Sequence, residues 1–165
     1  MSEKDLEEKI PGYAALPMAD RDAIITFTFL WSLFEAQLMQ TKANASRIAE
    51  AVDQWDADGT LGAELYIDEL TYFRNRYFQN GDFTFRFEKL NLRKSDMPDL
   101  IMAGVSGDAD TPRDRVLTVL LIVWRLRNNL FHGAKWAYAL QGQLDNFTHA
   151  NAVLMRTLER HAGLV

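Results

Sequence analysis

The stretch Arg125-Leu126-Arg127-Asn128-Asn129-Leu130-Phe131-His132-Gly133 gathers groups that can move protons and hold phosphate. Histidine titrates near neutral pH and can serve as general base or general acid. Arginine presents a fixed fork of donors that fits phosphate oxygens. RNA carries its own nucleophile, the ribose 2′-hydroxyl beside the scissile phosphate. Its cleavage needs a base for that proton, an acid for the leaving 5′ oxygen, and positive charge for the crowded phosphorane. One histidine with one or two arginines is a sufficient minimal set, without metal or cofactor. The structural alternative is plain: such residues at a helix C-terminus can simply meet its dipole and free carbonyls.

Helix geometry divides the candidates. Arg127 and His132 are five residues apart, about 140° around a regular helix. Arg125, Asn128, Asn129 and His132 would share one face, with Arg127 pointing away. Three resolutions are open: the helix distorts near Asn129, Arg127 reaches the site another way, or Arg125 takes its role. Lys135 offers a further phosphate contact, with a solvated lysine as the alternative. Glu35 is a candidate to orient Arg125 or Arg127, and a buried salt bridge serving packing alone is an equal reading.

The element that must carry this stretch is a long helix. Thr111 suits its cap, Pro112 its first position, and Asp114 completes a capping box. An apolar run from Val116 to Trp124 predicts burial, and Gly133 predicts the stop. Earlier, Asp20 caps an expected helix over residues 21–41, whose apolar residues Ile24, Phe27, Leu30, Trp31, Phe34 and Leu38 recur at helical spacing. Further helices are expected over 45–55, 61–78, 96–105 and 134–162. Asn80-Gly81 signals a turn. Phe83, Phe85 and Phe87 alternate with polar residues and predict an extended segment, which packs a core or dimer face or offers a stacking strip for unpaired bases. The fold expectation is an all-α bundle of four to six helices with one short extended segment. Residues 1–17 form a loose arm and 18–165 the helical domain.

Composition sets limits. The 165 residues suffice for one domain, and the net charge of −5 argues against binding nucleic acid by bulk charge. Basic residues cluster in two stretches: Arg113, Arg115, Arg125, Arg127 and Lys135, and Arg74, Arg76, Arg86, Lys89, Arg93 and Lys94. There is no cysteine, so disulfides and a thiol nucleophile are excluded. That fits a reducing, cytoplasmic setting. No apolar run is long enough to span a membrane. Asp56-Ala57-Asp58-Gly59 resembles a calcium loop, but the positions of its first and last ligands hold Gln54 and Leu65, and a solvated turn is the expectation. His149 and His161, twelve apart, lack metal-ligand spacing and read as surface or packing residues.

Arg127-Asn128-Asn129-Leu130-Phe131-His132 resembles the signature of HEPN domains: arginine, polar residue, three others, histidine. The longer string from Arg125 to Lys135 looks like the ApeA-like branch, found among bacterial phage-defence proteins. The resemblance is strongest over residues 113–136. It implies a HEPN-like bundle and a homodimer in which two motifs face one cleft and cut RNA without metal. Arg127 and His132 would be catalytic, Asn128 supporting, and Arg125, Asn129 and Lys135 RNA contacts. It also implies a toxin or phage-defence role, with an antitoxin or another operon-encoded partner. Some HEPN toxins carry a tyrosine two residues after the histidine, which a partner nucleotidyltransferase modifies. Ala134 stands there, so that kind of antitoxin is not supported. A non-catalytic HEPN-like module for dimerisation or RNA binding is the competing reading.

Overall fold

Apolar residues at helical spacing dominate the chain, and the computed structural model, which describes residues 3–10, 12–132 and 142–163, folds it into an all-α bundle. In chain order the elements are α1 (Glu3–Lys9), α2 (Met18–Leu38) and α3 (Ala45–Ala57). A 3-10 turn (Ala63–Tyr66) then leads into α4 (Ile67–Tyr77). A hairpin of β1 (Phe78–Gln79) and β2 (Asp82–Phe83) follows, then α5 (Phe85–Glu88), a 3-10 turn (Lys94–Asp96) and α6 (Pro98–Ser106). The long helices α7 (Pro112–His132) and α8 (Leu144–His161) complete the described residues. The start expected for the last helix, at residue 134, and the stop expected for α7 at Gly133 lie outside the described residues.

The capping box at the start of α7 is formed. The Asp114 backbone N–H donates to Thr111 Oγ1 at 3.2 Å, and the Thr111 N–H donates to Asp114 Oδ2 at 3.2 Å. Every residue from Val116 to Val123 is buried. A helix apolar all round must be enclosed, and α7 packs against α3, α4, α6 and α8, while α2 lies along α8. Gly104 permits the approach of α6: a Cβ there would fall 1.8 Å from Thr118 Oγ1. No helix among the described residues is long and apolar enough to cross a membrane.

Three expectations change. Asp20 does not cap α2, which begins at Met18 behind Pro17 and carries Asp20 inside its first turn. Residues 83–87 do not form one extended strip. Asn80 and Gly81 both take positive φ (53° and 85°) and close a two-residue hairpin, which pairs Phe78 with Phe83. The chain then turns helical at Phe85. The four-residue spacing of Phe83 and Phe87 suits a helical turn as well as a strand, and their rings meet at 4.5 Å. Phe85 is left outside, 64% exposed. At the other end, the segment read as a loose arm carries α1 and is tied to α2. Arg21 Nη1 donates to Glu3 and Glu7 at 2.7 and 2.8 Å, and its guanidinium lies over the Tyr13 ring.

Candidate active site

α7 delivers the motif on a continuous α-helix that reaches His132. The helix does not break near Asn129, so that way of bringing Arg127 beside His132 is not the one taken. The side chain of His132, and Lys135 entirely, lie outside the described residues. By helical position, Asn128 stands one turn before His132 on the same side, and Arg127 stands about 140° away.

The two neighbouring arginines meet opposite fates. Arg125 is 3% exposed. Its Nε donates to the Leu90 carbonyl at 2.6 Å, Nη1 to Asp96 Oδ2 at 3.0 Å and Nη2 to Asn129 Oδ1 at 3.0 Å. Asn129 in turn donates through Nδ2 to the Leu90 carbonyl at 3.0 Å. Asp96, equally buried, accepts from the Arg93 N–H at 2.7 Å and from Trp124 Nε1 at 3.4 Å. Burial lowers the Arg125 pKa, and the facing carboxylate of Asp96 opposes that shift. A buried charge needs a partner and hydrogen bonds on its remaining donors, and this one has both. Arg125 and Asn129, expected as RNA contacts, are therefore turned inward. They pin the chain between Lys89 and Asp96 to the end of α7.

Arg127 has no carboxylate partner among the described residues. Its Nη1 donates to Asn128 Oδ1 at 3.2 Å. The guanidinium carbon lies 5.0 Å from the Phe131 ring centre, 5.7 Å from Trp124 and 5.9 Å from Trp31. Among the described residues neither its buried Nε nor the buried Nε1 of Trp31 has an acceptor. Asn128 is buried and Phe131 is half-exposed.

Glu35 is not the orienting carboxylate. It accepts from the Ala43 N–H at 3.2 Å and so closes the turn after α2, while Asp96 meets Arg125. Sequence reasoning passed over Asp96 in this role because it lies 29 residues from its partner. The available signal was an acid two residues before Pro98, in a position to bond its own backbone turn. The aromatic wall around Arg127 was also missed, although Trp31 and Trp124 carry the expected burial pattern.

The other histidines pack. His149 stacks on Tyr72 at 3.9 Å and His161 on Trp55 at 3.8 Å. Burial, helped by Arg160, pushes the His161 imidazole down to about 4. Among the described residues no three His, Asp or Glu side chains gather where they could hold a metal ion. Comparison with known proteins finds no matching family model, no matching curated protein and no matching solved structure.

Proposed function

We propose that this chain is a metal-independent endoribonuclease of the HEPN type, acting as a homodimer in the cytoplasm in a toxin or phage-defence role. The observation that carries the reading is the state of α7's arginines. Arg113, Arg115 and Arg125 each bind a carboxylate, whereas Arg127 has none among the described residues. A guanidinium left without a counter-charge, one turn and a residue before a histidine, is free to take a phosphate. The resemblance of the motif to HEPN domains supplies the reaction class.

In the proposed reaction a histidine base takes the ribose 2′-hydroxyl proton. That oxygen forms a bond to phosphorus, and the bond from phosphorus to the 5′ oxygen breaks. The acid returns a proton to the leaving oxygen, and the product ends in a 2′,3′-cyclic phosphate. His132 serves one proton transfer and its copy in the second subunit serves the other. Arg127 neutralises the phosphorane, and Asn128 holds Arg127 through the bond described.

The test is cleavage of single-stranded RNA by purified protein in a chelator. Cyclic-phosphate products are expected, together with a loss of about 10² to 10⁴ in rate for His132→Ala and Arg127→Ala. An inert protein, or activity that vanishes in chelator, overturns the mechanism. The burial of Asn128 and the ring contacts of Arg127 favour a second reading, a non-catalytic dimerisation or RNA-binding module. In that case His132→Ala lowers the melting temperature and removes no activity.

A further inference from the structure

The two basic stretches of the sequence sort into paired and unpaired cations. Arg74 and Arg115 share Asp110, and Arg113 binds Asp53. Arg86, Lys89, Arg93 and Lys94 are all exposed and have no carboxylate partner among the described residues. These four sit within ten residues, accompanied by one acid, Glu88, in a chain whose net charge is −5. Charges of one sign held together on a rigid surface raise the local potential and attract a polyanion.

This strap is fixed in place. The Leu90 carbonyl accepts from Arg125 Nε at 2.6 Å and from Asn129 Nδ2 at 3.0 Å, and the Lys89 carbonyl accepts from Asn129 at 3.3 Å. Asp96 holds the far end through Arg125. The strap therefore lies against α7 between residues 125 and 129, about one turn before His132. At its other end Phe85 is 64% exposed, with the Arg86 guanidinium 5.1 Å from its ring centre.

We propose that residues 85–94 form a docking track for the phosphate backbone of single-stranded RNA, with Phe85 as a stacking platform for an unpaired base. An exposed aromatic ring interleaved with unpaired cations fits a single strand, because every base has a face to stack and every link a charge to neutralise. The direction of the track, toward the end of α7, rests on the nuclease reading. The binding does not, and it can be measured separately.

The probe is a fluorescent single-stranded RNA with 2′-O-methyl groups throughout, which lacks the nucleophile and stays intact. Its affinity is followed by anisotropy across a salt series. Replacing all four cations (R86Q/K89Q/R93Q/K94Q) is expected to lower the salt slope by about 3, at roughly 0.7 for each phosphate contact to a single strand. The control R113Q/R115Q removes two paired cations and is expected to leave the slope unchanged. Phe85→Ala is expected to weaken binding about five- to a hundredfold at every salt concentration. All four cations are exposed, so thermal melting of the quadruple variant should match the parent. The proposal is overturned if the quadruple variant keeps the parental slope, or if R113Q/R115Q loses as much. Equally tight, charge-dependent binding to anionic phospholipid vesicles overturns it in favour of a lipid surface. Should the parent leave cleavable RNA intact while the slopes behave as stated, the nuclease reading falls and the track stands.

Discussion

The two ends of α7 carry two arginines each and use them differently. At the N-terminal end Arg113 and Arg115 stand at the surface, paired with Asp53 and Asp110 beside a closed capping box. At the C-terminal end Arg125 is sealed in the interior on Asp96, and Arg127 lies against three aromatic rings with an unsatisfied Nε. The first end is electrostatically complete and could be rebuilt from other residues at little cost. The second holds an expensive buried pair and, next to it, a cation without a counter-charge among the described residues. Its ring contacts and its bond to Asn128 contribute some stability, but an apolar group of similar shape would pack against the same rings and leave no donor over. The phosphate contact proposed for Arg127 rests on that contrast.

The largest effect should come from breaking the buried pair. Arg125→Met leaves Asp96 enclosed without its cation, and a loss of about 3–5 kcal/mol is expected in urea unfolding. Adding Asp96→Leu to the same chain should recover much of that loss, because no lone charge then remains inside. If the single variant unfolds like the parent, Arg125 is not the structural member of the two, and its role returns to the RNA face.

A smaller stability effect, with a large functional one, is expected two residues on. Arg127→Met removes a cation–π contact with an orphaned donor attached, and these terms oppose each other at about 1 kcal/mol apiece. The melting temperature should therefore stay close to the parental value while RNA cleavage is lost. A collapse in stability comparable to that of Arg125→Met would show both arginines to be scaffold, and the difference between them would disappear.

Local signals made much of this fold legible. Thr111, Pro112 and Asp114 announced α7, Asn80-Gly81 announced a turn, and the apolar spacing in α2 marked Phe27, Leu30, Trp31 and Phe34, which are buried in the core. Each of these readings needs only residues within two turns of one another. The site was harder because its partners come from distant segments. Asp96 reaches Arg125, and Trp31 reaches Arg127, only after the helices pack. The phenylalanine alternation misled for a different reason: Phe83 and Phe87 satisfy both a period of two and a helical turn, and the hairpin closing at Gly81 decided between them. The motif's resemblance favoured Arg127 and helix geometry favoured Arg125, but burial and counter-charge separate them, and neither is written in the local sequence.

The smallest effect belongs to the N-terminal end. Asp110 is held well below the usual carboxylate range, first by the hydrogen bond from Arg115 and then by that from Arg74. Its native pKa lies under its unfolded one, so this interaction contributes its full stability above the ordinary carboxylate value and loses it as pH falls from there toward the lowered native pKa. Arg115→Gln should therefore destabilise slightly at neutral pH. The difference from the parent should shrink on acidification below about pH 4 and in molar salt, because the pair is exposed and screened. Paired urea titrations at neutral and acid pH, in low and high salt, measure it. A loss as large as that of Arg125→Met, persisting in salt, would mean that the surface pair behaves like a buried one. The asymmetry between the two ends of α7 would then no longer point to a ligand.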